Sequence, residues 1–510
     1  DPTISYVSPD RPVVASGHVE TTTGAAQIRS LVSTQTMDGA GVGVAVIDSG
    51  IDADHIALNP TLSYAYYEYY YSPSDFQMWW DATNYDASAV STSKSFLSNN
   101  TSVDDYYGHG THVASLIAGQ ANFFDGYYKG IAPKANLLNL RVLDNNGAGA
   151  ASAVVAAIDW CVTNKSLYNI RVINLSLGTM AKDSYKTDPL CLAARRAANA
   201  GIVVVAAAGN DGKSSTGAKI YGAIHSPGID PSVITVGSVN TYGTDSRTDD
   251  TIASYSSRGP TRGYAVVNGV RKYDNLIKPD LVAPGNKLIA AQSFGDAYSR
   301  TVNQLVTNFP TLNYINNPYG SYQGTPRSFA KMQLSGTSMS APVVSGAVAL
   351  MLQANPSLTP NLVKAILMYT AQPLAGFNML EQGAGELNID GAVRLARLVK
   401  TTLPTTNGTA LLAATTLPIQ QSTIAGQTFN WSKGVITTYG FVHGNSLIQY
   451  WQGVYGTGQV LGDATSYANL TLSLVSGKTY SVSLKSGVVK ITGSGQVLGD
   501  SLNTIIASGQ

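Results

Sequence analysis

One serine lies where a hydroxyl group could act as a nucleophile. Residues 334–342 are LSGTSMSAP, and they run into VVSGAVALML, a charge-free stretch of small and branched apolar residues. This pattern predicts a buried helix that begins close to Ser338, with Pro342 in its first turn, where no backbone N–H is needed. Unpaired N–H groups and the positive end of the helix dipole would then meet the Ser338 hydroxyl. The plainer alternative is that Ser338 is only a helix N-cap.

Two other stretches carry groups that could activate a serine. Residues 41–50, GVGVAVIDSG, predict a buried parallel strand with Asp48 at its C-terminal end, where catalytic groups gather in open α/β sheets. Residues 108–119, GHGTHVASLIAG, predict a helix that begins near His109. His112 lies three positions further on, and no acid or third histidine accompanies the pair. We therefore expect His112 to be a buried structural residue rather than a metal ligand.

These three groups suit nucleophilic catalysis. A serine hydroxyl needs an adjacent base, and the base needs a third group to orient it. Asp48, His109 and Ser338 follow one another in the order acid, histidine, serine, which is the order found in subtilisin. The blocks VIDSG, HGTHVA and GTSMSAP around them resemble the three signature blocks of the subtilisin-like serine protease family. The resemblance spans roughly residues 35–400, with long insertions at about 61–107 and 290–333.

The resemblance implies a role for each matching residue. Ser338 would attack the scissile carbonyl, His109 would take and return the proton, and Asp48 would orient the imidazole. Asn210, in the sequence AAGN, matches the asparagine of the family's oxyanion hole. Three short segments match the family's substrate-binding positions, and their residues are Gly147, Ala148, Gly149, Ser176, Leu177, Gly178, Ala207, Ala208 and Gly209.

The same resemblance implies how a substrate binds. Residues 147–149 and 176–178 would sandwich an extended polypeptide by backbone hydrogen bonds, which read no side chains, so cleavage should be broad. Residues 207–209 would wall the first specificity pocket, and residues 212–225 would supply its floor. Lys213 and Lys219 lie in that floor segment, which leaves an acidic preference open. The Ser226–Pro227 bond resembles one that is cis in relatives.

The pattern along the chain predicts the elements that must position these residues. Strand and helix patterns alternate between residues 135 and 239, which implies right-handed βαβ units and a parallel sheet. The expected fold class is α/β: a subtilisin-like three-layer domain with a mostly parallel sheet flanked by helices, plus a small C-terminal all-β domain. The expected boundaries are 1–400 for the catalytic domain, 401–424 for a linker, and 425–510 for the β-rich domain, where alternating patterns predict strands.

Two regions leave their roles open. Tyrosines and tryptophans cluster between residues 61 and 107, either as a binding surface or as a packed excursion that covers the enzyme body. The C-terminal region contains Trp431, Tyr450 and Trp451, which we expect to be exposed. It would either contact a cell surface or polysaccharide, or serve as a stabilising cap.

Composition narrows the partners. Charged residues make up 12% of the 510-residue chain and the net charge is +1, so nothing indicates nucleic acid as a partner. No apolar run predicts a membrane span, and the low charge favours a secreted protein. The two cysteines, Cys161 and Cys191, both fall in predicted helices, and their pairing is left open.

The chemistry requires no cofactor. Ala57 stands where many family members have a calcium-binding aspartate, and the loop 121–129 is aromatic, so structural calcium is doubtful at the usual family site. The metal ligands and the oligomeric state stay unknown. The function expected from the resemblance is a serine endopeptidase acting on polypeptides through an acyl-enzyme. The alternative is a catalytically silent relative that binds or adheres.

Overall fold

The computed structural model describes residues 18–29, 36–59, 88–120, 128–294, 302–313, 330–414, 416–461, 470–473, 479–485 and 488–492. Its strands are β1 Gly43–Asp48, β2 Val90–Ser95, β3 Asn136–Arg141, β4 Ile170–Leu175, β5 Thr179–Met180, β6 Val203–Ala207, β7 His225–Ser226, β8 Ile234–Asn240, β9 Thr251–Ile252, β10 Tyr264–Val267, β11 Val270–Tyr273, β12 Leu281–Pro284, β13 Leu288–Ala291, β14 Lys331–Leu334, β15 Gln421–Ile424, β16 Gln427–Asn430, β17 Gly434–Ile436, β18 Phe441–His443, β19 Leu470–Ser473, β20 Thr479–Lys485 and β21 Val488–Thr492.

Helices alternate with these strands in the first part of the chain. They are α1 His18–Thr22, α2 Ala25–Ile28, α3 His109–Ala118, α4 Ala151–Thr163, α5 Pro189–Asn199, α6 Gln304–Asn308, α7 Thr337–Ala354, α8 Pro360–Thr370, α9 Met379–Gln382, α10 Ile389–Leu398 and α11 Ser446–Gln449, with short 3₁₀ turns at Pro310–Leu312 and Gly453–Tyr455. The alternation of strands and helices predicted between residues 135 and 239 is confirmed: β3, α4, β4, α5, β6 and β8 follow one another there, with the two-residue strands β5 and β7 between them.

The central sheet is parallel and runs in the order β12-β8-β6-β4-β1-β3-β2, with β9 added antiparallel to β8. Side chains on β1 alternate between its two faces. Val44 and Val46 belong to the core shared with α3, α7, α8 and α10, whereas Ala45 and Ile47 belong to the core shared with α4 and α5. The sheet is therefore sandwiched between two helical layers, as the predicted fold class requires.

Helix α7 runs through the larger of these cores. Nearly every residue from Thr337 to Leu352 is buried. By length and hydropathy it is, among the described residues, the one helix that would suffice to cross a membrane, and 83% of it is buried inside the protein. Its hydropathy is what a helix packed on all sides requires.

The chain after residue 400 returns to the same core. Trp431 and Trp451 are only 3% and 5% exposed, so the expectation that they form an exposed aromatic surface is wrong, whereas Tyr450 is 42% exposed. Trp431 packs edge-on against Tyr369 of α8, with ring centroids 6.5 Å apart. The boundaries at 401 and 425 stay a prediction. Small antiparallel sheets do occur in this region, namely β15–β16, β17–β18 and β19–β21.

Both cysteines are buried free thiols in helices, Cys161 in α4 and Cys191 in α5. Burial raises the pKa of both thiols far above the ordinary value. The pairing that the sequence left open is therefore not made. The aromatic cluster of residues 61–107 lies mostly outside the described residues, so its role stays open.

Candidate active site

An acid and a histidine meet at the C-terminal edge of the central sheet. Asp48 ends β1 and is 1% exposed, and its Oδ1 lies 2.7 Å from Nδ1 of His109, the first residue of α3. The backbone N–H of Ser49 donates to the same oxygen at 2.8 Å. Burial lowers the pKa of His109, but the charge of Asp48, the hydrogen bond to it and the charge of Asp105 together raise that pKa above its ordinary value. The imidazole is thus held by one nitrogen, which leaves Nε2 for another partner.

A second buried carboxylate, which sequence reasoning missed, organises the same corner. Asp105 accepts from the backbone N–H groups of Gly108 at 2.7 Å and Thr111 at 2.8 Å, at the start of α3. Its Oδ1 also accepts from the hydroxyl of Ser49 at 2.8 Å, and that hydroxyl accepts from Gly110 N–H at 2.9 Å. A carboxylate at a helix N-terminus satisfies orphan donors and the helix dipole. The only sequence signal was an acid four positions before His109.

The predicted nucleophile lies at the start of α7. Ser338 is the second residue of this helix, and its hydroxyl donates to the backbone carbonyl of Ser176 at 2.9 Å. The Ser176 hydroxyl donates in return to the backbone carbonyl of Ser338 at 2.7 Å. Ser338 is therefore tied to the end of β4, and its hydroxyl must turn from Ser176 to His109 before a proton can pass between them.

Pro342 lies one turn deeper in α7 than expected. The helix begins at Thr337, so Pro342 is inside it rather than in its first turn. A proline has no N–H for the carbonyl four residues earlier, which here belongs to Ser338. The Ser176 hydroxyl supplies the missing donor. The expectation failed because it considered only the position of Pro342 within the helix. The freed carbonyl of Ser338 is satisfied instead by the side chain of Ser176, which directly follows β4.

Strand register brings the acid and the serine to the same level. On β1 and β4, Val46 pairs with Asn174, so the parallel register places Asp48 level with Ser176. Adjacent strands lie about 4.8 Å apart. Because His109 is bonded to Asp48 and Ser338 is bonded to Ser176, the imidazole and the hydroxyl are attached to neighbouring strand ends.

Asn210 lies beside the backbone of Ser338. Its Oδ1 accepts from the N–H of Thr337 at 2.9 Å, which assigns Nδ2 to the opposite side of the amide. A Cβ built on Gly336 would lie 3.3 Å from that Nδ2 and 3.6 Å from the backbone N of Ser338. Two N–H donors thus flank a small space that exists because residue 336 has no side chain. This is the arrangement that stabilises an oxyanion.

The predicted substrate-binding segments lie around this corner. Residues 147–149 and 176–178 belong to no strand of the free chain, and Gly149 and Gly178 are exposed. Gly147 is covered by the ring of Tyr107, whose centroid lies 6.5 Å from that of His109. Burial and the charges of Asp48 and Asp105 raise the pKa of Tyr107. Sequence reasoning did not single out Tyr107, which connects the histidine to the first segment.

The floor of the expected specificity pocket holds a second histidine that was also missed. The side chain of His225 packs closely against both Gly209 and Gly178. A Cβ atom at position 209 would lie 2.8 Å from the His225 ring, and one at position 178 would lie 3.2 Å from His225 Cβ. Nε2 of His225 lies 2.6 Å from Oδ2 of Asp211. By contrast, Lys219 is paired with Glu381 at 2.7 Å. His225 therefore sits between residues 176–178 and 207–209.

Other expectations have definite outcomes. His112 is fully buried and its Nε2 bonds to Leu288 O at 3.1 Å, while burial lowers its pKa to about 3, so it is structural as predicted. The Ser226–Pro227 bond is cis.

Within the described ranges no three His, Cys, Asp or Glu side chains gather as a metal site, and Ala57 is buried in an apolar cluster. The expectation about structural calcium stays a prediction, because the loop 121–127 lies outside the described residues.

Comparison with known proteins identifies the family that the sequence motifs around Asp48, His109 and Ser338 resemble. The profile of the subtilase family matches residues 39–392. Serine protease AprX of Bacillus subtilis is 31% identical over 74% of this chain and 71% of its own length. Subtilisin E of Bacillus subtilis is 29% identical over 77% of this chain and 76% of its own, and an extracellular serine proteinase of a Thermus strain is 30% identical over 67% and 57%. A solved cold-adapted subtilisin-like serine proteinase covers 69% of this chain and 89% of its own, with 25% identity and a TM-score of 0.43.

The chain belongs to the subtilase family, whose profile covers more than half of it. Together with these relatives, the family match makes the protein a serine endopeptidase of the subtilisin type.

Proposed function

We propose that Ser338 is the nucleophile, His109 the general base, Asp48 the residue that orients it, and Asn210 an oxyanion-hole donor. The observation that carries this assignment is the 2.7 Å hydrogen bond between Asp48 Oδ1 and His109 Nδ1. Asp48 lies level with Ser176 at the end of the neighbouring strand β4, and Ser338 is hydrogen-bonded to Ser176. A serine hydroxyl is a nucleophile only beside a base held in this way. The alternative, a silent relative, would require one of these groups to be missing or displaced.

The reaction follows from these positions. His109 Nε2 takes the proton as Ser338 Oγ attacks the carbonyl carbon, and the carbonyl oxygen becomes an oxyanion between Asn210 Nδ2 and Ser338 N–H. When the C–N bond breaks, His109 returns the proton to the leaving amine, and an acyl-enzyme on Ser338 remains. His109 then takes a proton from water as the water oxygen attacks the ester carbonyl, and it returns that proton to Ser338 Oγ as the C–O bond breaks and the carboxylic acid product leaves. Asp48 stabilises the imidazolium in both halves.

The substrate is an extended segment of polypeptide with a broad range of side chains. Within residues 147–149 and 176–178, Ala148, Gly149 and Gly178 are exposed. Backbone pairing of this kind gives affinity without reading the sequence. An acidic preference at the first pocket receives no support from Lys219, because Glu381 already neutralises it. The imidazole ring of His225 in that floor favours side chains that stack on it.

We further propose that the enzyme works outside the cell. One relative is an extracellular serine proteinase, and only 12% of the residues of this chain are charged. Fractionation of a producing culture tests this proposal, and recovery of the active enzyme only inside cells would contradict it.

For the region after residue 400 we propose a stabilising cap rather than a surface-binding module, since Trp431 and Trp451 are buried.

A serine-directed phosphonylating reagent followed by peptide mapping tests the catalytic assignment. The adduct is expected on Ser338, and a Ser338→Ala variant should neither label nor hydrolyse casein. Asn210→Ala should label slowly, with kcat about 10²–10³ lower, the loss measured when a subtilisin loses its oxyanion-hole asparagine. Labelling of a different serine, or full casein turnover by Ser338→Ala, would refute the assignment.

A further inference from the structure

The second long insertion contacts the loop that leads into His109. Its described residues include 290–294 and 302–313. The loop consists of residues 105–108, directly before α3. Each of these four consecutive loop residues is contacted by a residue of the insertion, two through α6 and two through the chain beside it.

Helix α6 supplies the first two contacts. The N–H of Gln304 donates to the carbonyl of Tyr106 at 2.9 Å, and the N–H of Leu305 donates to the carbonyl of Tyr107 at 3.1 Å. These are the first two N–H groups of α6, which have no partner within the helix. The loop before the histidine is therefore what satisfies them, and the two segments depend on each other.

The flanking residues complete the contact. Ser293 is fully buried and its hydroxyl donates to the carbonyl of Asp105 at 2.8 Å. Asn303 is also fully buried. Its side-chain amide packs so closely against Gly108 that a Cβ atom at position 108 would lie only 2.5 Å from Asn303 Cγ. The same amide donates to Ser293 O and accepts from Val306 N–H, both at 2.9 Å, so it is rigidly held.

We propose that residues 293 and 303–306 form a positioning element for the histidine of the active site. They fix the backbone of residues 105–108, and that backbone fixes where His109 begins α3 and where the Tyr107 ring lies. The inference rests on the proposed function, because it concerns how the base is held rather than which residue it is. The insertion would then serve the reaction without touching the substrate.

One substitution can remove a single bond of this element and little else. Gln304 is the first residue of α6, a position where proline fits a helix well. Asn303 has φ −60° and ψ 162°, the extended conformation that a residue before proline prefers. Gln304→Pro therefore keeps α6 but deletes the N–H that donates to Tyr106. Gln304→Ala is the matched control, because both variants lose the side-chain bond to Asn308 and only one loses the N–H.

The experiment measures kcat, KM and the fraction of active sites titrated by the phosphonylating reagent. Relative to Gln304→Ala, kcat per titrated site of Gln304→Pro should fall about tenfold with KM within about twofold, since misplacing a catalytic group by about 1 Å can cost about 10²-fold. An unchanged kcat per titrated site would overturn the proposal, even if fewer sites titrate. Failure of the parent enzyme to label at Ser338 would instead overturn the proposed function.

A second variant decides the matter if Gln304→Pro does not fold. Ser293→Ala deletes only the hydroxyl that donates to Asp105 O. It should lower kcat per titrated site by about threefold, a smaller loss because the two α6 contacts remain. Equal kcat values for Ser293→Ala and the parent enzyme would then count as refutation.

Discussion

Asp105 affects His109 without being bonded to its imidazole. Its two oxygens hold the N–H groups on either side of the histidine, through Gly108 and Thr111. Burial lowers the pKa of His109, whereas the charge of Asp48 and, in its ionised form, that of Asp105 raise it. Burial raises the pKa of Asp105 itself, and its hydrogen bonds to Gly108, Thr111 and Ser49 oppose that rise. The other titratable groups around the imidazole are Tyr107 and His112. Asp105 therefore contributes both to the position of the base and to its protonation.

Replacing Asp105 by Asn should change the pH profile of the enzyme. His109 must be neutral to act as a base, and losing the Asp105 charge lowers its pKa. The acid limb of kcat/KM should thus move to lower pH, while the plateau falls about tenfold because charge-assisted hydrogen bonds to the start of α3 are weakened. A pH series of initial rates with a peptide substrate measures both effects.

Asp104→Asn is the control for that variant. Asp104 is the adjacent acid, but it is exposed and bonds only to the neighbouring Ser102 hydroxyl at 3.0 Å. It should leave the acid limb and the plateau of kcat/KM in place. An Asp105→Asn profile that keeps the parent's acid limb, or moves it to higher pH, would contradict the electrostatic role.

Helix α7 depends on a strand for one of its own hydrogen bonds. Pro342 leaves the carbonyl of Ser338 without an intrahelical donor, and the Ser176 hydroxyl donates to it at 2.7 Å. A buried carbonyl without a donor costs about 1–3 kcal/mol. The interruption therefore requires a partner, and the partner belongs to a proposed substrate-binding segment. The helix that carries the proposed nucleophile is held in register with β4 as a result.

Ser176→Ala should both destabilise the protein and slow acylation. The free energy of unfolding should fall by about 1–3 kcal/mol because the Ser338 carbonyl loses its donor. The rate of phosphonylation should fall as well, because one of the two hydrogen bonds between Ser338 and residue 176 is lost and only the bond from the Ser338 hydroxyl to the residue 176 carbonyl remains. Ser340→Ala is the matched control: its buried hydroxyl donates to the carbonyl of Ala283 at 3.0 Å, from the same helix to β12, and makes no bond to Ser176. If the two variants acylate equally fast, the coupling is refuted.

The sequence predicted those elements whose pattern is local. Strand β1 and helix α7 are apolar runs that begin after a glycine. The alternation of strands and helices predicts a parallel sheet, and this prediction does not depend on the length or sequence of the loops. The position of Pro342 and the burial of Trp431 were predicted wrongly for one reason. In both cases the deciding partner, Ser176 or Tyr369, lies far away along the chain. Asp105 and Asn303 were missed because their partners are mainly backbone groups, which leave no mark in a sequence. His225 was missed because its partner Asp211 lies in another segment of the chain.

A buried charged cluster joins separate parts of the molecule. Arg247 Nη2 lies 3.3 Å from Glu386 Oε2, and its Nη1 donates to the carbonyls of Thr22 and Leu387. Asp250 lies against Glu386. Burial raises the pKa of Asp250 to about 9, and the charge of Glu386 adds to this effect. Two buried carboxyl groups side by side share a proton more readily than both ionise.

This cluster makes stability depend on pH. The folded protein holds a proton on Asp250 that the unfolded chain, with its pKa near 3.8, releases. The free energy of unfolding therefore decreases as pH rises from about 4 to 9. Asp250→Asn should reduce this slope and raise the Tm most at pH 8–9, while Glu386 and Asp52, whose pKa values burial also raises, still contribute to the slope. Thermal scans in a Ser338→Ala background avoid autolysis. Asp249→Asn, at the neighbouring and less buried acid, should keep the slope, and an unchanged slope in Asp250→Asn would refute the argument.

The chain after residue 400 is predicted to be indispensable as far as residue 461 and dispensable beyond it. Up to that point it covers α8 and α10 with apolar side chains that belong to the main core. The Ser432 and Lys433 N–H groups also donate to the carbonyls of Ala371 and Tyr369 at 2.8 and 2.9 Å, at the end of α8. By contrast, β19, β20 and β21 pair with one another.

Two truncations test this division. A chain ending at residue 404 would expose the partners of Trp431, Trp451 and Tyr455, and each such side chain contributes about 1.5–3 kcal/mol when buried. The sum approaches a typical whole-domain stability of about 5–15 kcal/mol, so this chain should be insoluble or should melt without cooperativity. A chain ending at residue 461 should melt cooperatively and hydrolyse casein at the parent's rate. Calorimetry and casein assays of both would decide, and a fully active, cooperatively folded chain ending at 404 would show that the cap is a separate domain.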